Sequence, residues 1–66
     1  MSNAEAYLDA HGFPVAGEFT NTHGEHFSDV LDRAPGVRFE GVVWPRWQFP
    51  DGSAVVVRCG SWEVER

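Results

Sequence analysis

Lysine and isoleucine are absent from this 66-residue chain, cysteine occurs once, and basic residues are half as many as acidic ones. Each shortage excludes something. A single cysteine, Cys59, rules out a disulfide within the chain. It reads as a reduced, buried small hydrophobe on the apolar face of a strand. No apolar run is long enough to span a bilayer, and no charged-then-apolar leader opens the sequence. A cytoplasmic protein is therefore expected. Lysine and isoleucine codons are AT-rich, so their absence fits a GC-rich bacterial or phage genome.

The charge balance narrows the function classes. Ten acidic residues face five arginines, for a formal net charge of −5. Binding to phosphate needs a basic surface, so nucleic acid is not the expected direct ligand. The same balance suits a protein partner with a basic surface. It also keeps a small domain soluble, with no further role.

Motifs for chemistry are missing as well. The glycines are scattered and form no phosphate loop. Ser28, Ser53 and Ser61 have no base or orienting group in a recognisable pattern. Asp29 and Asp32 are three apart on a helical stretch, and Glu63 and Glu65 share one face of a strand. Both pairs read as solvated faces. His23 and His26, with His11 elsewhere, are the best metal candidates. Zinc needs a third and usually a fourth ligand; Glu25, His11 or Asp29 could supply one, but nothing in the spacing requires it. No enzyme, cofactor or metal is expected from these patterns, although a His-based metal-binding protein remains a minor alternative.

What is present is mostly one apolar stretch, residues 37–59, VRFEGVVWPRWQFPDGSAVVVRC. It reads as a long β-hairpin closed by Pro50-Asp51-Gly52. Proline presets the first turn position, aspartate tolerates the second, and glycine takes the left-handed one. This turn pairs Gln48 with Ala54, Trp47 with Val55 and Arg46 with Val56. Continued, it pairs Trp44 with Arg58 and Val43 with Cys59. Alternation along a strand then separates two faces. Val43, Trp47, Phe49, Val55, Val57 and Cys59 form the inner one, assigned to the core. Trp44, Arg46, Val56 and Arg58 form the outer one, with Trp44 opposite Arg58 for a cation–π pair. The first strand is long, so Gly41 or Pro45 is expected to bend it. Gly60 is expected to bend the chain again, so that Trp62 and Val64 return to the core side. Residues 61–65 then continue the second strand or form a third.

Upstream, two short helices are expected. Ser2 and Glu5 form a capping box for the first, which ends near His11 with Gly12 as its left-handed stop. Ser2-Asn3-Ala4 is also the remnant of a common cleaved tag, so residues 1–4 read either way. Ala4, Tyr7, Leu8 and His11 make its apolar stripe. Phe13, Val15 and Phe19 then enter the core from an edge strand or an extended loop. Thr22 and Glu25 form a second capping box, with Asn21 as an alternative cap. Phe27, Val30, Leu31 and Ala34 are the buried stripe of the second helix, and Pro35-Gly36 ends it.

The expected fold is α+β: one small domain over residues 1–66, with two short helices packed on a small antiparallel sheet dominated by the C-terminal hairpin. At this length only about 60% of the unfolded surface is buried, so the outer face cannot easily be covered. Trp and Arg are the residues most enriched at binding hot spots. Trp44, Arg46, Val56 and Arg58 are therefore the expected partner contacts, with Glu18, Glu25, Asp29 and Asp32 as an acidic complement. The function this implies is a small acidic, non-enzymatic protein-binding module. Its most concrete form is a phage-type inhibitor, of the anti-CRISPR or anti-restriction kind, occupying a basic nucleic-acid-binding surface. The alternative is a homo-oligomeric structural or regulatory module assembled through the Trp44 face.

Overall fold

A computed structural model describes residues 2–13, 18–41 and 43–65. The element order is α1 (Asn3–Ala10), α2 (Phe27–Asp32), β1 (Arg38–Glu40), β2 (Arg46–Gln48), β3 (Ala54–Arg58) and β4 (Ser61–Glu65). The four strands form one antiparallel sheet in the order β1-β2-β3-β4. Two helices on a four-stranded antiparallel sheet give the expected α+β class.

α1 begins as its sequence dictates. The Ser2 hydroxyl accepts from Glu5 N–H at 3.2 Å, and the Glu5 carboxylate accepts from Ser2 N–H at 3.3 Å. Two N–H groups left without helical partners are thereby satisfied. His11 is the C-cap, and Gly12 follows at φ 81°. Ala4 and Leu8 are buried, while Tyr7 and His11 are half-buried and stacked at 4.1 Å. The Tyr7 hydroxyl donates to Val30 C=O at 2.7 Å, tying α1 to α2.

α2 starts later than its capping pattern implies. Its N-cap is His26, whose Nδ1 accepts from Ser28 N–H at 3.2 Å. Thr22 and Glu25 do not cap it. They lie in a preceding loop organised by Asn21, which is buried. Asn21 Oδ1 accepts from His23 N–H at 3.0 Å and Glu25 N–H at 2.8 Å. Its amide donates to His11 C=O at 2.9 Å and to the Glu25 carboxylate at 3.0 Å. Asparagine can make four such bonds, and here it replaces the missing backbone partners of a tight loop. The buried stripe Phe27, Val30, Leu31 and Ala34 is as expected. After it, Pro35 and Gly36 (φ 73°) occupy the middle of a turn closed by Val37 N–H to Ala34 C=O.

The 50–52 turn and its register are those read from the sequence. Gln48 pairs with Ala54, Trp47 with Val55, and Arg46 with Val56. Phe49 and Ser53 close the turn, with Phe49 N–H to Ser53 C=O at 2.8 Å. The long first strand, however, does not exist. The chain reverses between Glu40 and Arg46, and β1 folds back on β2 with Phe39 opposite Trp47. Gly41 and Pro45, expected to bend the strand, instead bracket a second turn. Pairing of β2 with β3 therefore stops near Pro45, whose C=O still accepts from Val57 N–H at 3.0 Å. The expected Trp44–Arg58 and Val43–Cys59 strand pairs are replaced by this turn.

β4 is the third-strand alternative. Cys59 (φ 52°) and Gly60 (φ 77°) fill a two-residue turn between Arg58 and Ser61. Positive φ at both positions is the signature of the type I′ hairpin turn. Trp62 returns to the core as expected, and Val64 packs against it. Cys59 does not: it is exposed. Val43 is also outside the core, 77% exposed. Trp47, Phe49 and Val55 are buried and Val57 is half-buried, so the rest of the inner face stands.

The core centres on Phe27. Its ring meets Phe13, Phe19 and Trp47 edge-on at 5.6–5.8 Å and stacks on Trp62 at 5.1 Å. Such contacts add to the area that aromatic burial removes from water. Phe13 and Phe19 thus enter the core as expected. Val15, and the choice between strand and loop for that stretch, lie at 14–17, outside the described residues. The indoles are also satisfied: Trp47 Nε1 donates to Asp32 at 2.9 Å, and Trp62 Nε1 to Glu18 C=O at 3.2 Å.

Candidate binding surface

Strand alternation places Arg46, Ala54, Val56, Arg58, Glu63 and Glu65 on the face opposite the helices. One row across the sheet reads Glu40, Arg46, Val56, Glu63. The next reads Arg38, Gln48, Ala54, Glu65. Ala54 and Val56 are fully buried yet lie outside the aromatic core cluster. Ion pairs span them. Arg46 bonds Glu65 at 2.7 Å, and Arg58 bonds Glu63 at 2.9 Å and also Glu65. Long arginine stems shield apolar surface while their heads stay wet. Arg46 Nε is buried and has no hydrogen-bond partner among the described residues.

This geometry brings the four expected hairpin contacts together and corrects two of their roles. Trp44, Arg46, Val56 and Arg58, with Glu40 and Val43, line one surface depression of about 200 Å³. Val56 forms its floor and is only 2% exposed, so it is not an open contact. Arg58 is engaged by Glu63 and Glu65 in place of the expected cation–π partner. Both corrections have one cause. β4 folds back beside β3 and lays its carboxylates along the outer face.

The exposed apolar side chains lie at the rim. Among the described residues, the large hydrophobics left exposed are Phe39 (58%), Val43 (77%) and Trp44 (45%). All three belong to the β1–β2 hairpin. The Phe39 ring rests on Trp47 at 5.2 Å and covers Gly41, where an added Cβ would come within 2.8 Å of it. Period-2 alternation runs straight through the turn, which is why the sequence assigns Val43 to the core and does not single out Phe39. Gly41 and Pro45, bracketing Val43 and Trp44, were the available signal.

The expected acidic complement is divided. Glu25 is bound by Asn21 and by Arg33 at 2.7 Å. These bonds, Asn21 first, hold its carboxyl below the ordinary glutamate range. Asp32 accepts the Trp47 indole, although it remains at the surface. Glu18 and Asp29 are exposed. Of the four, two already serve the fold.

Two of the three histidine side chains are used locally. His11 Nδ1 lies 2.7 Å from Tyr7 C=O, and His26 Nδ1 caps α2 beside the Ser28 hydroxyl at 2.9 Å. Among the described residues, no three His, Cys, Asp or Glu side chains gather in a way that could hold a metal ion. No described helix is long and apolar enough to cross a membrane. No protein-family model, curated protein or solved structure matches the chain.

Proposed function

We propose that this protein is a small, non-enzymatic binding module that engages a protein partner through the β1–β2 hairpin tip and the depression behind it. The observation carrying this reading is the concentration of exposed apolar side chains, Phe39, Val43 and Trp44, on one hairpin. A soluble surface scatters such residues singly, whereas a cluster with a polar rim suits a contact site. Trp44 is the anchor, and Arg46 and Arg58 supply the rim. Their ion pairs with Glu63 and Glu65 hold them in place before contact, which lowers the ordering cost of binding.

The partner's chemistry follows from charge. A net charge of −5 and exposed Glu18 and Asp29 favour a basic protein surface. The specific form proposed is an inhibitor of the phage kind that covers a basic nucleic-acid groove. Capture from the native host, with the bound protein identified and titrated, tests both parts. Trp44→Ala is expected to weaken binding at least about tenfold, and affinity is expected to fall as salt rises. Unchanged binding by Trp44→Ala would remove the hairpin anchor. Salt-independent affinity would remove the charge-mimic role.

A further inference from the structure

The strand order leaves β1 at a sheet edge. An edge strand is a template for another strand unless its sequence forbids pairing. β1 is Arg38-Phe39-Glu40, with all three residues exposed. The alternation of an antiparallel ladder fixes which groups point outward. Phe49 and Ser53 exchange a hydrogen bond, so Trp47 and Val55, two residues further along each strand, also face one another. Arg46 and Gln48 therefore turn their backbone groups to β1, where Glu40 and Arg38 receive them. Phe39, between them, directs its N–H and C=O out of the edge.

We propose that this edge pairs with β1 of a second copy, about a two-fold axis passing beside Phe39. The three residues are complementary to their own reverse. Centred antiparallel pairing sets Phe39 opposite Phe39, and Arg38 of each copy opposite Glu40 of the other. The outward N–H and C=O of Phe39 meet their equivalents as a hydrogen-bonded pair. Arg38 and Glu40 fall on the outer face in the closer, non-hydrogen-bonded positions. A perpendicular two-fold keeps both Phe39 rings on the helix-bearing face, where each covers the other. The contact is self-complementary and closes after two copies, joining two four-stranded sheets into one of eight. It pairs backbone along the strand edge without using Trp44, Arg46 or Arg58, while Phe39 and Glu40 are shared with the proposed hetero-partner surface, so the two contacts compete for them.

The test is a charge exchange read by light scattering or sedimentation over rising concentration. A three-residue pairing belongs with small interfaces, so dimers are expected with a Kd between about 10 µM and 1 mM. R38E and E40R each place like charges opposite one another twice, and each is expected to weaken dimerisation at least about tenfold. Mixing the two variants places opposite charges across both pairs and is expected to restore a one-to-one dimer. Circular dichroism of each variant confirms the fold, since both side chains are exposed. A strict monomer at about 1 mM would overturn the proposal. So would a dimer indifferent to either charge change, or a mixture that fails to associate. Trp44→Ala is expected to dimerise normally; loss of the dimer in that variant alone would move the contact to the depression and end the edge pairing.

Discussion

The two turns flanking β2 each carry a proline and a glycine and are treated in opposite ways. Pro50-Asp51-Gly52 is fastened to the rest of the molecule. The Asp51 carboxylate accepts from Asn3 N–H at 2.9 Å, and the Ser53 hydroxyl accepts from Ala4 N–H at 3.1 Å. The turn thus supplies partners for the first N–H groups of α1, some 48 residues away in sequence. The 41–45 turn carries Val43 and Trp44 into solvent, next to an exposed Phe39. One turn spends its polar groups on the fold, and the other withholds its apolar groups from it. In so small a domain every large apolar side chain is needed for burial. Leaving three exposed on one hairpin is the costly choice, and it is the ground on which that hairpin is proposed as the contact surface.

Breaking the fastened turn should have the largest effect. Ser53 is buried and both donates to Asp51 and accepts from Ala4 N–H. Ser53→Ala strands that buried N–H and should cost about 1–3 kcal/mol. At about 4–8 °C per kcal/mol for a domain of this size, the loss is readable as a fall in Tm. A change of under about 1 °C would show that the long-range cap contributes nothing.

The third turn sharpens the contrast, because it is exposed like one and structural like the other. Cys59 sits at φ 52° with Gly60 beside it. A side chain in the left-handed region costs about 1–2 kcal/mol, against the lower chain entropy it leaves in the unfolded state. Cys59→Gly should therefore gain about 0.5–1 kcal/mol in denaturant unfolding. A loss of stability would mean that the thiol makes a contact worth more than the strain.

These turns also show what a sequence discloses. The 50–52 turn was legible because its chemistry is local: proline, aspartate and glycine each fit one position. Its register followed, since a slip would have scrambled the inner face. The 41–45 turn was hidden because Val43 and Trp44 fit the inner and outer faces of a continued strand. Its reversal depends on Phe39 finding Trp47, a contact no local pattern encodes. The start of α2 was misplaced for a related reason. Thr22 and Glu25 have capping-box spacing, but Asn21 holds that loop and His26 caps the helix. At the candidate site, period-2 reading did gather Trp44, Arg46, Val56 and Arg58. It could not foresee that β4 would bring Glu63 and Glu65 beside them, burying Val56 and occupying both arginines.

Acid separates the turns more gently. The Asn3 N–H, followed by the Ser53 hydroxyl and N–H, holds the Asp51 carboxyl below the ordinary aspartate range. Glu25 is lowered by Asn21 and then Arg33. A carboxyl depressed in the folded state stabilises it fully above the unfolded pKa, about 4, and that stabilisation is lost as pH falls through the lower folded value. The denaturation midpoint should therefore hold steady from neutral pH to about 5 and decline below about 4. Asp51→Asn should lower the plateau and flatten part of the decline. Because Asp51 is exposed and Glu25 only half-buried, solvent screens both, and the effect should be smaller than that of Ser53→Ala. An unchanged acid limb in Asp51→Asn would assign the titration to other carboxyls.

The smallest effect is expected at the other turn, and its smallness decides the comparison. If Trp44 belonged to the fold, truncating it would cost what removing a buried aromatic costs, about 3–5 kcal/mol. It is 45% exposed, it flanks a depression floored by Val56, and among the described residues no ring contact ties it to the Phe27 cluster. Trp44→Ala should therefore leave stability within about 0.5 kcal/mol of the parent. Val43→Ser, at 77% exposure, should do the same. Equilibrium unfolding of both variants beside Ser53→Ala gives the contrast in one experiment. A destabilisation of more than about 1 kcal/mol in Trp44→Ala would return the hairpin tip to the fold. Two neutral substitutions would leave recognition as the reason for placing valine and tryptophan at a solvent-facing turn.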